Sequence, residues 1–376
     1  MVCRELRLRD FRNFPELEVA FPPEGVAIIG DNGEGKTNLV EAIYYLEIFR
    51  SFRGAPDEQL VRRGAEVFHL RGRFTDPGSG WGREIAVGFE RRSHRKRITV
   101  DGVQPERIGD ALGGVGAVVF SPSDVAIVAG APGERRRFLD ILLSLNTPGY
   151  LAALQRYRQV LRQRNTLLRE GAAEALLAPW DEGLVESGSR LIVARRDWID
   201  TRNPGFARRY AAISGGIPGR MVYEPALPLE RIPEAATVDD VAELFRAELA
   251  RLARHERERG VTLTGPHRDD LGFVMERSGA EIELREFGSG GQQRTAAIVL
   301  RMVEAETVRA ARGGHPIILL DDIFAELDPG RSRRILELLE AEERGQVILT
   351  APKASDLEVR RGVVPHWTLS GGRLYV

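Results

Sequence analysis

The chain contains one cysteine, Cys3, three lysines, at 36, 96 and 353, and six histidines with no pair at ligand spacing. A single cysteine excludes an intrachain disulfide and a cysteine-based zinc site. Scattered histidines argue against zinc as well. No apolar run reaches the roughly 20 residues that cross a bilayer, and Met1-Val2-Cys3-Arg4-Glu5 does not begin a secretory leader. A cytoplasmic protein with no membrane partner is therefore expected. Net charge is also missing: 54 Lys+Arg stand against 55 Asp+Glu, leaving -1. Any nucleic-acid surface must then be a local patch on a neutral body. Almost all cations are arginine, so the lysine at 36 stands out.

What is present is enough for a large core: 376 residues, 43% of them hydrophobic, predict two domains or lobes. The most informative stretch is Gly30-Asp31-Asn32-Gly33-Glu34-Gly35-Lys36-Thr37. It follows the apolar run Val26-Ala27-Ile28-Ile29 and precedes a helical pattern with Leu39, Ile43, Leu46 and Phe49. Strand, glycine-rich loop and helix opening at Lys-Thr form the context of a phosphate loop. Glycines let the backbone curl its N–H groups around polyphosphate, and the helix N-terminus adds partial positive charge. Lys36 would reach the β- and γ-phosphates, and the Thr37 hydroxyl would ligate Mg²⁺.

Before this loop, Leu6, Leu8 and Phe11, then Leu17, Val19 and Phe21, alternate as a β-hairpin. The segments 67–74, 84–89 and 97–100 predict an antiparallel β lobe. Within it, Arg91-Arg92-Ser93-His94-Arg95-Lys96-Arg97 is either a solvated loop or a phosphate contact. Ala117-Val118-Val119-Phe120 reads as a buried strand. From 131 to 258 the apolar spacing turns helical, with breaks expected at 146–149, 203–205 and 215–233, where Pro and Gly cluster. Arg156, Arg158, Arg162 and Arg164 there form either an exposed helix face or a phosphate-tracking stripe. The expected division is 1–130 for the first half of an ATPase domain, 131–258 for an inserted helical domain, and 259–376 for the second half. Strand texture is expected to resume at Val261-Thr262-Leu263-Thr264.

Ile317-Ile318-Leu319-Leu320-Asp321-Asp322 is a central-strand pattern ending in two carboxylates. At that edge of an α/β sheet they would face the phosphate loop, Asp321 holding Mg²⁺ and Asp322 polarising the attacking water. Upstream, Ser289-Gly290-Gly291-Gln292 opens a further helix, with Ser289 suited to cap it. One nucleotide rarely needs two such helix starts from one chain. The economical arrangement places each chain's Ser289 turn on the γ-phosphate held by a partner, in a homodimer.

Phosphate loop, Ser-Gly-Gly-Gln turn, Asp-Asp strand, and Leu327-Asp328 at a fixed offset together resemble the head of an ABC-type ATPase, a P-loop NTPase of the branch containing SMC proteins and Rad50. Within that branch, Asp10-Phe11-Arg12-Asn13-Phe14, Phe120-Ser121-Pro122-Ser123-Asp124, Arg135-Arg136-Arg137-Phe138-Leu139-Asp140 and Gly265-Pro266-His267-Arg268-Asp269-Asp270 resemble the bacterial RecF family. The resemblance implies an α/β ABC-type head with an antiparallel β lobe and a helical insertion. It also implies ATP and Mg²⁺ as ligands, weak ATPase activity, and DNA binding at single-strand gaps with RecO and RecR to help load RecA. Asp328 would then belong to the D-loop.

Three positions depart from ABC ATPases in general. Asp322 stands where glutamate is usual, and its shorter arm predicts slow hydrolysis. Ser121 replaces the glutamine that senses γ-phosphate, and Ala351 replaces the switch histidine of transporters. Two other classes are weighed by the same residues. A transporter-type ATPase subunit is disfavoured by the long, Arg-rich insertion and by Ala351. An SMC-like structural tether is disfavoured because 133–258 carries no sustained heptads. His267 reads either as a structural hydrogen-bonding corner or as a nucleotide- or interface-facing group.

Overall fold

A computed structural model describes residues 1–324, 327–342, 345–353 and 364–376. In chain order it begins with β1 (Val2–Phe11), β2 (Phe14–Ala20), β3 (Gly25–Ile29), α1 (Lys36–Ile48), β4 (Val67–Thr75), β5 (Gly82–Glu90), β6 (Arg95–Val100), α2 (Ile108–Ala111) and β7 (Ala117–Phe120). There follow α3 (Val125–Ala129), α4 (Pro132–Asn146), α5 (Tyr150–Arg169), α6 (Glu174–Ser214), β8 (Gly219–Glu224), α7 (Val238–Arg259), β9 (Asp270–Arg277), β10 (Ala280–Glu283) and α8 (Leu284–Phe287). The chain continues with α9 (Gly290–Arg312), β11 (Ile317–Asp321), α10 (Pro329–Glu342), β12 (Val347–Ala351), β13 (His366–Ser370) and β14 (Arg373–Tyr375).

Two compact units are formed, one from Met1–Asp124 with Ala297–Val376 and the other from Val125–Ala296. The first contains a six-stranded sheet in the order β14-β13-β3-β12-β11-β7 and a five-stranded antiparallel sheet in the order β2-β1-β4-β5-β6. In the six-stranded sheet β13, β3, β12, β11 and β7 are parallel, and only the edge strand β14 is antiparallel. Its central strands are buried apolar runs, as a parallel sheet covered on both faces requires. Gly25 has a physical reason: at φ +103°, a Cβ there would lie 1.8 Å from the Val347 carbonyl oxygen. The register pairs Asp321 with Thr350 and Thr350 with Ile28, so β12 separates the phosphate-loop strand from the acidic one.

Helix α1 is buried over nearly its whole girth. Phe11, Tyr45 and Phe68 meet edge to face with centroids 5.4–6.4 Å apart, which locks the hairpin onto the helix. Each such pair adds about 0.5–1.5 kcal/mol beyond its buried area.

The second unit departs from the expected helical insertion in three ways. It runs from Val125 to Ala296 where the sequence suggested 131–258, because β8, β9 and β10 pair into a sheet that packs with its helices. Residues 261–264 are not a strand. Their polar groups turn inward instead, with Thr262 bonded to Asn165 and Arg164. Finally, α6 does not break at 203–205 but continues through Pro204. Burial of Ile199, Phe206 and Tyr210, together with the Asn203 amide clamping both backbone groups of Met221, outweighs the roughly 3 kcal/mol that an interior proline costs.

Candidate functional site: the phosphate loop and its acidic strand

The loop after β3 reaches α1 through Gly33 and Gly35, at φ +92° and +109°. A Cβ on Gly35 would lie 2.4 Å from the Asn13 amide nitrogen. That amide pins the loop: Asn13 Nδ2 donates to the Glu34 carbonyl at 2.8 Å, and its Oδ1 accepts from Asn38 Nδ2 at 2.8 Å. Glu34 also accepts from the Gly371 N–H. The Lys36 ammonium curls over the loop and donates to the carbonyls of Gly30 at 2.5 Å and Asp31 at 3.0 Å. Gly30, Asp31, Asn32, Gly33, Glu34, Gly35, Lys36 and Thr37 thus form one continuous turn from the tip of β3 into the helix.

At the start of that helix, Thr37 Oγ1 donates to Asp321 Oδ1 at 2.9 Å, and Thr350 Oγ1 donates to the same oxygen at 3.0 Å. Burial raises the Asp321 carboxyl pKa, opposed by these two hydroxyl donors and by the nearby Arg53 and Lys36 charges. A hydroxyl and a carboxylate side by side at a helix N-terminus are hard oxygen donors. That set fits Mg²⁺, which takes one or two protein oxygens and completes its shell with phosphate and water. Asp322 follows at φ +52°, a left-handed conformation uncommon outside glycine. It lines a cavity of about 850 Å³ together with Asn32, Lys36, Thr37, Arg53 and Arg63. The phosphate loop and Asp322 therefore meet around one cationic cleft, with Asp321 buried behind it and joined to it through Thr37.

Two buried carboxylates of α1 are held by partners distant in the chain. Glu41 takes a bidentate bond from Arg12 at 2.7 and 2.9 Å and a hydrogen bond from Ser51. Glu47 accepts the N–H groups of Val115 and Gly116 and pairs with Arg312. Within the motif at 10–14, Arg12 and Asn13 are the residues that brace α1 and the loop.

The Ser289 turn belongs to the second unit. Ser289 Oγ accepts from Gln292 N at 3.3 Å and Gln292 Oε1 accepts from Ser289 N at 2.7 Å, a reciprocal cap that fixes the N-terminus of α9 with Gly290 and Gly291 in its first turn. Phe287 just before it is 69% exposed. Ser121, in the place of the sensing glutamine, bonds Asp124 and Ser123 in a short turn. Asp328 accepts from Arg331 N at the start of α10. Ala325 and Glu326, which precede it in the expected D-loop, lie outside the described residues.

Other candidates have structural duties. Arg164 leaves the expected stripe: it is buried and bonded to Asp181, Glu256 and Thr262. Arg91 and Lys96 of the basic run donate to backbone carbonyls, Lys96 also pairing with Asp57. His267 is a hydrogen-bonding corner, its Nε2 donating to the Thr262 carbonyl and its Nδ1 accepting from Tyr157 Oη at 2.6 Å. Burial first, then the Arg268 and Arg136 charges, lower its pKa to about 4. The Arg135–Asp140 and Gly265–Asp270 motifs interlock: Arg135 grips Asp270, and Arg195 bridges Asp140, Asp269 and the Pro266 carbonyl.

A parallel sheet with a phosphate loop and an acidic strand tip, an antiparallel β lobe, and a separate unit bearing the serine-glycine turn define an ABC-type P-loop ATPase head. Residues 163–351 match the family described as "AAA domain, putative AbiEii toxin, Type IV TA system". The chain is 36% identical to the DNA replication and repair protein RecF of Symbiobacterium thermophilum over 97% of its own length and 95% of the relative's. It superposes on the recombination mediator protein RecF-ATP of the RecFOR pathway with a TM-score of 0.88, at 29% identity, covering 99% of this chain and 96% of that one. An SMC head bound to the C-winged helix domain of ScpA, at 15% identity and a TM-score of 0.58, shares the fold. The chain belongs to the RecF family.

Proposed function

We propose that this protein is an ATP-dependent DNA-binding protein of recombinational repair and replication, acting as a dimeric clamp at gaps and single/double-strand junctions to help load a recombinase. The observation that carries the proposal is the meeting of Thr37 with Asp321 beside Lys36 and Asp322. The names of its relatives and the nucleotide in a similar protein's structure support the rest. RecO, RecR and RecA are the partners the family suggests.

In this reading the phosphate-loop N–H groups and Lys36 hold the ATP phosphates, Lys36 exchanging its two carbonyl acceptors for phosphate oxygens. Thr37 and Asp321 would hold Mg²⁺, which neutralises phosphate charge. Asp322 orients the attacking water, and its short side chain keeps hydrolysis slow, so turnover times release from DNA. The partner chain's Ser289, Gly290, Gly291 and Gln292 close the site over γ-phosphate, which is consistent with the exposure of Phe287 beside that turn.

Fluorescence anisotropy with gapped, single-stranded and duplex DNA, in ATP and in ADP, tests the proposal. Tighter binding of gapped DNA in ATP is expected. Equal binding in both nucleotides would overturn it.

A further inference from the structure

Within the second unit, α4, α5, α6 and the turn at Pro266-His267 enclose a pocket of about 270 Å³. This is below the roughly 300–1,000 Å³ of small-molecule clefts and suits one or two side chains. Its lining is of two kinds. Leu161, backed by the buried Leu154 and Leu191, supplies an apolar wall, while Arg136, Arg137 and Arg158 bring three guanidinium groups.

The polar side is built rather than accidental. Arg195, 2% exposed, lies at the base and bonds Asp140 at 2.8 Å and Asp269 at 3.2 Å. Tyr150 and Arg158 also donate to Asp140, and Arg136 donates to the Asp269 carbonyl. Of the four guanidinium groups only Arg195 and Arg158 pair with the two carboxylates, and the pocket keeps an excess of positive charge. Arg137 is exposed and pairs with no carboxylate among the described residues. The low pKa of His267 in the same wall, due after burial to Arg268 and Arg136, agrees with a positive field.

We propose that this pocket docks an acidic peptide segment of a partner protein, taking a carboxylate on Arg136, Arg137 and Arg158 and an adjacent apolar side chain against Leu161. Charge complementarity selects the acid. The leucine wall selects a peptide over a nucleic-acid backbone, whose phosphodiesters have no apolar group to bury there. The proposal stands apart from the nucleotide cleft, since every residue it uses belongs to the second unit. Arginines at such a rim give specificity as well as attraction, because guanidinium meets carboxylate in a bidentate geometry.

The test uses the full chain and fluorescein-labelled hexapeptides carrying Asp-Leu or Asp-Phe pairs, with Asn-Leu and Asn-Phe controls, read by anisotropy. Saturable binding of the Asp peptides below about 1 mM is expected, weakened about tenfold or more in the Asn controls and in Arg137→Glu. A Leu161→Asp variant should lose the same binding, and circular dichroism melts of both variants check that the fold is kept. Unlabelled 5′-phosphorylated oligonucleotide and inorganic phosphate serve as competitors. No saturable binding by any Asp peptide, undiminished binding in folded Arg137→Glu, or binding displaced by inorganic phosphate as readily as by unlabelled Asp peptide would each overturn the proposal.

Discussion

Thr37 and Asp321 are 284 residues apart in the chain and 2.9 Å apart in space, joined by a hydrogen bond from hydroxyl to carboxylate. The sheet order makes this closeness unavoidable: β3 and β11 flank β12, so the loop after β3 and the acid ending β11 emerge at the same edge. Thr350 of the strand between them donates to the same oxygen. A buried carboxylate with two neutral donors and a nearby ammonium is poised for a divalent cation, since its hydration has already been given up.

Lys36 is the first point of failure. Lys36→Met removes the one ammonium in the loop while leaving a straight apolar chain, and hydrogen bonds to charged groups contribute about 1.5–3 kcal/mol. ATP affinity measured by titration calorimetry should fall about tenfold or more. Lys36→Arg should retain more affinity but lose turnover, because a planar fork cannot take the place of a compact ammonium. Unchanged ATP affinity in Lys36→Met would remove the phosphate-loop assignment.

The two acids of the strand tip should separate in their effects. Asp322→Asn keeps shape but weakens the polarisation of water, so ATP should still bind while hydrolysis drops about 10²–10⁴-fold and DNA complexes live longer. Asp321→Ala takes away the acceptor shared by Thr37 and Thr350, and both Mg²⁺-dependent ATP binding and DNA retention should be lost. Stopped-flow dissociation from gapped DNA distinguishes them. Equal residence times for wild type and Asp322→Asn would count against a clamp timed by hydrolysis.

His267 predicts a pH dependence of folding. Its pKa is about 4 in the folded protein against 6.5 for the free side chain. Between these values the unfolded chain binds the extra proton, so stability rises with pH across the window. The contribution is whole above the unfolded pKa and is lost as pH falls toward the folded one, to the extent of about 2–3 kcal/mol. Urea unfolding at several pH values should show a shallower slope for His267→Gln than for wild type over this range. Identical slopes would mean that the imidazole stays accessible to protons in the fold.

Legibility in the sequence followed the range of the interactions. The phosphate loop and the Asp321-Asp322 strand are contiguous patterns whose chemistry is local, and they could be read directly. Asn13 bracing the Glu34 carbonyl, Arg12 on Glu41 and Arg195 between Asp140 and Asp269 depend on distant partners. The motifs at 10–14, 135–140 and 265–270 contain Arg12, Asn13, Asp140 and Asp269 but not their pairings. Arg164 looked solvated because helix spacing places charges outside, whereas two carboxylates draw it inside. Pro204 reads as a stop by propensity alone, whereas the burial of its neighbours carries the helix through it.

The Ser289 turn gives the most demanding prediction. Ser289 and Gln292 cap α9 reciprocally, leaving the glycines of the first turn without side chains that would keep an anion away. A helix N-terminus so arranged attracts negative charge, and a phosphate held by the loop of another chain would supply it. In a twofold dimer each such contact occurs twice, so one substitution acts at both sites. Ser289→Arg replaces the small cap with a long cation that blocks close approach of the backbone, and should cost about 0.5–2 kcal/mol of local helix stability through the lost cap. The phosphate loop belongs to the other compact unit and shares no residue with this turn. ATP affinity should therefore stay near the wild-type value, while light scattering shows a monomer in ATP and binding to gapped DNA falls about tenfold or more, since two copies no longer bind the DNA together. A near-wild-type melting temperature separates this outcome from simple unfolding. A Ser289→Arg protein that still dimerises with ATP and holds DNA like wild type would show that this turn does not act on a partner's nucleotide.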